Sequence, residues 1–318
     1  MNEASIELRS WRQFLAVAEE LHFGRAAARL HMTQPPVTQA IAQLEKALGV
    51  TLFDRTRRRV ALTPAGEALV PEVRELLARA QALPARARAA AAGEVGRVRL
   101  AFVSTIGFER LPAWVREFRL QCPEVALELV EATGDVQLEA FARGEIDAGL
   151  MLHSPGIAPP GLAALKVAEE PLVLALPAAH PLARAARLTL AQVLDEALVI
   201  FPRRIVPSLH DAIFGLYHAA GRAPKVAQEA IQMQTIVNLV WGGLGVAWVP
   251  ASVMQFRRSG VIYRAADAFA PTGRRRAASA LPGCETSLVW PGDDRPANPA
   301  LQRFVRFIEA QVSRPLAQ

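Results

Sequence analysis

The spacing of apolar residues changes once along this chain of 318 residues, and that change limits what it can fold into. Up to about Ala90 apolar side chains recur mostly three and four residues apart, the repeat of helices packed by one face. Beyond Arg97 short apolar runs alternate with helical stretches, the pattern of a sheet crossed by helices. A helical head and an α/β body are expected, and the length suits two units of roughly 150 residues.

In the head, Leu8, Trp11, Phe14, Leu15, Ala18 and Leu21 make one helical face over 7–21. A second helix over 25–31 carries Ala26, Ala27 and Leu30, which let another helix cross closely. Thr33 then caps a third helix with Pro35 and Pro36 in its first turn, where their missing N–H groups are not needed. Val37, Ile41, Leu44 and Leu48 form its packing stripe, while Pro35, Gln39, Gln43 and Lys46 project from the other side. After Gly49, residues 52–53 and 60–62 read as two short strands around Arg55, Arg57, Arg58 and Arg59. An arginine run alone is usually a solvated turn. Directly after a helix-turn-helix it reads as a basic wing that contacts phosphates and fixes the register for base contacts.

Thr63-Pro64 opens a longer helix in which Leu69, Val73, Leu76, Ala80, Leu83, Ala87 and Ala90 alternate four and three apart, a heptad seam suited to pairing with a second copy. A helix lying on its own domain would show the same stripe. Pro71 and Pro84 should each bend it, and 93–96 should end it as a hinge. In the body, strands are expected over 98–102, 125–130, 146–151, 172–176, 198–201, 226–228, 246–249 and 288–290. Helices are expected over 108–121, 136–143, 208–220, 234–241 and 299–312, with a long loop over 265–283 that contains Arg274, Arg275 and Arg276.

The formal charge of +6 is concentrated in the head, where residues 1–93 hold 13 Lys and Arg against 9 Asp and Glu. Residues 1–10 carry Glu3 and Glu7 and no apolar core, so export is not expected and a cytoplasmic location is. The longest uncharged stretch, 230–256, is broken by Gln232, Gln234, Asn238, Gly242, Gly243, Gly245 and Pro250, which suits a buried helix, a glycine turn and a strand, and not a membrane span. Cys122 and Cys284 lie far apart without metal-site spacing, and His22, His31, His153, His180, His210 and His218 show no ligand spacing, so neither metal nor cofactor is expected. No Gly-rich phosphate loop, HExxH, GxSxG or paired carboxylates on one helix face supports an enzyme, the second functional class an α/β body allows.

The head motifs are Phe23-x-x-Ala26-Ala27-x-x-Leu30, Thr33-Gln34-Pro35-Pro36-Val37-Thr38, Leu44-Glu45, Leu48-Gly49, Leu52-Phe53-x-Arg55 and Leu62-Thr63-x-x-Gly66. Those of the body are Gly144-Glu145-Ile146-Asp147, His180-Pro181-Leu182 and Gly243-Leu244-Gly245-Val246-Ala247-x-x-Pro250. In this order, and across essentially the whole chain, they resemble the LysR-type transcriptional regulators. Gln34-Pro35-Pro36 and Phe102-Val103-Ser104-Thr105 look most like the activators of aromatic-compound and muconate degradation. Thr38-Gln39 departs from that subgroup's Ser-Arg, and Arg203-Arg204 replaces its short polar residues.

The resemblance implies an α/β protein with an N-terminal all-α winged helix-turn-helix at 1–66, a dimerising linker helix at 67–93, and a two-lobed sensor shaped like a type 2 periplasmic binding protein at 94–318. Lobe I would combine 94–168 with 292–318 and lobe II would be 169–291, with crossovers near Glu169 and Pro291. The implied partners are double-stranded DNA, a small carboxylate effector, a second copy in a homodimer, commonly a homotetramer, and RNA polymerase. A branch of the family senses peroxide through cysteines, but Cys122 and Cys284 do not sit at that branch's positions.

Thr33, Gln34, Pro35, Pro36, Thr38, Gln39 and Gln43 are the expected DNA-reading residues, with Arg55, Arg57, Arg58 and Arg59 on phosphates. Where relatives have Arg, which favours guanine, Gln39 favours adenine. For the effector, Ser104 and Thr105 follow a strand and open a helix, so hydroxyls and free N–H groups converge there, although a plain helix cap would use the same residues. Thr133-Gly134 stands where the subgroup has Gly-Thr, so that subgroup's contact is not carried over as it stands, and Thr133 is the candidate effector residue at this position. Phe201 and Pro202 would form an apolar wall, and Arg203 or Arg204 would pair with a second carboxylate.

Overall fold

The computed structural model describes residues 6–55, 59–108, 110–265, 268–269, 281–292 and 296–313. Its backbone divides into two compact units, Met1–Arg88 and Ala89–Gln318.

The first unit runs α1 (Leu8–Glu20), α2 (Phe23–Arg29), α3 (Gln34–Leu48), β1 (Phe53–Arg55), β2 (Val60–Leu62) and α4 (Pro64–Ala91). Its core gathers Phe14, Val17, Ala26, Ala27, Val37, Ile41, Leu44, Leu52 and Phe53. The second helix begins two residues before the expected Arg25, because the His22 imidazole caps it by accepting from Arg25 N at 3.1 Å. β1 and β2 pair antiparallel, Phe53 opposite Leu62 and Arg55 opposite Val60. Arg57 and Arg58 lie outside the described residues.

Thr63 fastens the start of α4. Its hydroxyl donates to Thr51 O at 2.8 Å and accepts from Gly66 N at 3.1 Å. A side chain at Gly66 would collide with the Leu52 carbonyl, which is the packing reason for glycine in that motif. The helix continues through Pro71 and Pro84. The expected seam divides in two: Val73 is buried with Leu77 in its own unit, whereas Leu76 is 42% and Leu83 61% exposed.

The second unit contains β3 (Gly96–Phe102), α5 (Ser104–Gly107), α6 (Arg110–Gln121), β4 (Val125–Glu131), α7 (Gly134–Ala142), β5 (Ala148–His153) and β6 (Leu162–Pro177). These are followed by α8 (Leu190–Leu194), β7 (Ala197–Ile200), α9 (Pro207–Ala219), β8 (Lys225–Glu229), α10 (Met233–Trp241), β9 (Ala247–Pro250), β10 (Val261–Arg264), β11 (Gly283–Pro291) and α11 (Pro299–Val312). One sheet runs β10-β6-β11-β5-β3-β4, with β9 also on β6, and β7 pairs in parallel with β8.

Strand β6 creates the two lobes. Residues 162–171 pair with β11 on the lobe I side, and 172–177 pair with β9 and β10 in lobe II. Lobe I packs Phe118, Phe304 and Phe307 between α6 and α11, with the Phe118 and Phe304 rings 5.1 Å apart. Lobe II closes around Leu174, Phe201, Tyr217, Val237 and Trp248. Expectation missed the first ten residues of β6, where Lys166, Glu169, Glu170 and Pro171 hide the strand pattern, and missed β10 and α8 altogether. It also misplaced the second crossover. Since β11 pairs with β5 from Glu285 onward, the chain returns to lobe I near Gly283 and not Pro291. Arg274, Arg275 and Arg276 lie outside the described residues, whereas Phe269 in the same expected loop is buried against Trp248.

The Gly144-Glu145-Ile146-Asp147 motif ties lobe I together. The Asp147 carboxylate accepts from Arg99 Nη2 and Arg99 N, both at 2.8 Å, while Arg99 Nη1 donates to Gly144 O at 2.6 Å.

Candidate functional site

In the first unit, Thr33, Gln34, Pro35, Pro36, Gln39 and Gln43 are exposed, while Val37, Ile41 and Leu44 on the other face of α3 are buried. Thr33 occupies the N-cap position without a side-chain cap bond, and Thr38 is half-buried with Oγ1 donating to Gln34 O at 3.2 Å. The free face is therefore amide-rich and uncharged until Lys46. Elsewhere in the unit, acidic partners occupy arginines: Glu19 takes Arg74 at 2.9 Å and Arg29 at 2.8 Å. The hydrogen bond from Arg74, followed by those contacts with Arg29, holds the Glu19 carboxyl below its usual range despite partial burial.

Arg55 is placed differently from expectation. Its Nη2 lies 2.6 Å from Glu45 Oε2 and its guanidinium stacks over Phe23, so its charge is already paired with α3 and it serves as a brace. Arg59, just before β2, is exposed.

In the second unit a small cavity of about 30 Å³ lies where the two lobes meet. Ser104, Thr105 and Thr133 line it from lobe I and Phe201 from lobe II, so four expected residues converge. Thr105 is only 3% exposed, and its Oγ1 has no hydrogen-bond partner. A buried hydroxyl without a partner costs about 1–3 kcal/mol, which an incoming acceptor or a water would relieve. The volume suffices for one or two waters, so an organic ligand requires the lobes to part about the crossing strands β6 and β11.

Pro202, Arg203 and Arg204 do not line the cavity. Arg203 makes a two-pronged pair with Asp211, both contacts at 2.7 Å, and Arg204 Nε lies 3.4 Å from Asp135 Oδ2. The expected second carboxylate thus finds no arginine in this arrangement, because nearer acids have claimed both. The helix that Ser104 opens, α5, is a single turn, so it offers its hydroxyls and little helix dipole.

Sequence reasoning missed Glu131, Gln232, Met233 and Ile205 among the lining residues. Gln232 and Met233 sit at the start of α10, just beyond β8. Applying the strand-end rule used for Ser104 to this second helix would have found them.

Ser287 Oγ lies 3.0 Å from His153 Nε2 with Glu285 alongside, which superficially suggests a hydrolase constellation. Glu285 instead bonds to Ser287, the other imidazole nitrogen meets Ser154 O, and Ser287 is 1% exposed. The group is a buried brace between strands and is not arranged for nucleophilic attack. Cys284 is also sealed, and burial, with the charge of Glu170, pushes its thiol well above its ordinary value, which argues against thiolate chemistry there. Arg303 Nε lies 3.2 Å from buried Cys122 Sγ. Among the described residues no cluster of His, Cys, Asp and Glu could hold a metal ion, and no helix is long and apolar enough to cross a membrane.

Residues 8–67 match the family described as bacterial regulatory helix-turn-helix protein, lysR family, and residues 91–313 match the LysR substrate binding domain. The chain is 44% identical to the HTH-type transcriptional regulator IlvR of Caulobacter vibrioides over 98% of this chain and 100% of that protein. It is 39% identical to the HTH-type transcriptional regulator AlsR of Bacillus subtilis over 97% of each. The crystal structure of full-length CbnR complexed with its target DNA matches with a TM-score of 0.74 at 30% identity, covering 96% of this chain and 99% of that one. These relatives are named as regulators and not as enzymes. With both of its family domains matched in order, the chain belongs to the LysR family and is a DNA-binding transcriptional regulator with a LysR substrate-binding domain.

Proposed function

We propose that this regulator is a cytoplasmic activator switched by a small organic acid held between its lobes. The observation that carries the reading is a cavity at strand ends lined by Ser104, Thr105 and Thr133, in which the buried Thr105 hydroxyl has no hydrogen-bond partner. Open α/β sheets take ligands at such crevices. With Arg203 and Arg204 already paired, the reading favours a single carboxylate.

The DNA-binding domain is assigned to 1–66, the linker helix to 67–93 and the sensor to 94–318. Gln34, Gln39 and Gln43 are assigned to base edges and Arg57, Arg58 and Arg59 to phosphates. The exposed Leu76 and Leu83 support a homodimer through α4, and pairs of dimers would make a homotetramer able to meet RNA polymerase at an interrupted inverted repeat. The CbnR complex with target DNA lends support to a double-stranded DNA partner. The test is a thermal-shift screen of small carboxylates, because a ligand stabilises the state it binds, followed by calorimetry on Ser104→Ala and Thr105→Val. Binding unaffected by both substitutions would remove the cavity assignment.

A further inference from the structure

We infer that the effector carries a hydrogen-bond donor, an ammonium above all, on the carbon beside its carboxylate, which makes it a short 2-amino acid. This deepens the organic-acid reading and rests on it. Thr133 provides the first observation. A hydroxyl has one proton and a carboxylate only accepts. Thr133 Oγ1 lies 2.5 Å from Asp135 Oδ1, so its proton is committed to Asp135, whose other oxygen faces Arg204. Toward the cavity Thr133 therefore presents lone pairs and calls for a donor.

Glu131 provides the second observation. It is the one ionisable residue among those lining the cavity, and among the described residues no ion pair engages it. A dianion would bring its second charge toward this carboxylate while Arg203 and Arg204 are held by Asp211 and Asp135, whereas an ammonium is matched by Glu131. The side chains of Glu131 and Thr133 thus accept. At 104–105 the unpartnered Thr105 hydroxyl still has its proton to give. These two stretches follow the neighbouring parallel strands β4 and β3, where Glu131 stands beside Phe102. Adjacent strands lie about 4.8 Å apart, a gap that the amino and carboxylate groups of one carbon can bridge. The lobe II wall of Phe201, Ile205 and Met233 is apolar and suits a short aliphatic side chain.

Asp135 is then a positioning residue. In Asp135→Asn the amide oxygen would face Arg204 and its NH₂ would face Thr133, which would free the Thr133 proton for the cavity and relax the demand for a donor. The test is calorimetry on the full chain with alanine, 2-aminobutyrate and valine, each beside acids of the same carbon skeleton bearing hydroxyl, hydrogen or oxo at carbon 2. We expect the amino member to bind tightest, the hydroxy member next, and the others at least tenfold weaker. Glu131→Gln and Asp135→Asn should each narrow that gap. Hydrogen or oxo members that bind as tightly as the amino member, or a gap unchanged in both variants, would overturn the inference while leaving the organic-acid reading in place. If no carboxylate of any kind bound, both would fall.

Discussion

Glu45 on α3 and Arg55 on β1 are joined at 2.6 Å, and the same carboxylate accepts from Leu52 N at 2.8 Å and Phe53 N at 3.1 Å. One acidic side chain thus satisfies the backbone where the chain leaves the helix and sets the base of the wing against it.

Removing that carboxylate leaves backbone donors and a guanidinium unsatisfied. Glu45→Ala should destabilise the first unit by about 1–3 kcal/mol, and Arg55→Ala by less, because Arg55 is partly exposed. Thermal unfolding followed by Trp11 fluorescence would measure both. Equal and negligible shifts would show that the wing is held by other contacts.

Gln39 stands on the free face of α3. Gln39→Ala should lose about 1–3 kcal/mol of discrimination at one A·T pair while affecting unrelated DNA little. Neutralising Arg57, Arg58 and Arg59 together should instead weaken all sequences and flatten the dependence on salt. Competition binding at several salt concentrations separates the two patterns, and a uniform loss for Gln39→Ala would take it off the base edges.

Along α4, neighbouring apolar residues should behave in opposite ways. Leu77→Ala, in the core of its own unit, should cost about 2–4 kcal/mol of stability. Leu76→Glu should leave the fold intact and yield monomers. Sedimentation of Leu76→Glu at the native mass would place the pairing surface elsewhere.

Burial alone would raise the Asp147 carboxyl, but hydrogen bonds from the Arg99 side chain and backbone, with its charge, outweigh burial and hold Asp147 below its usual range. A carboxyl lowered by folding contributes stability that is present above its unfolded value, about 4, and is lost as pH falls through the lower folded value. Arg99→Leu should therefore be less stable at pH 7 by about 1–3 kcal/mol and show a shallower loss of stability in acid. Urea titrations from pH 2 to 7 would show parallel curves for variant and parent if the pair were inert.

Local pattern alone was enough for the elements whose burial follows one period. The stripe Val37, Ile41, Leu44 located α3, and 299–312 was read at the observed bounds of α11, because a proline at the first position and an Asn298 cap mark its start. Ser104 and Thr105 could be nominated as cavity residues because they follow a strand end, a property of local order, whereas Thr133 and Phe201 rested on the family resemblance. The first half of β6 was not legible, because a crossing strand with one face in water carries charges that look like a loop.

Periodicity, caps and turns within a few residues are enough for the helical head, the α/β body and the polar pair Ser104 and Thr105. The tertiary structure alone decided which charges remain free. Arg55, Arg203 and Arg204 looked alike as candidate anion contacts, yet Glu45, Asp211 and Asp135 had claimed them. It also determined that the Thr133 hydroxyl bonds to Asp135 and that Glu131 lines the cavity with no ion pair among the described residues. A charged side chain pairs with whichever opposite charge the fold brings within about 4 Å, and for Arg55 and Arg204 that partner came from a separate element of the fold, a proximity that residue spacing does not encode.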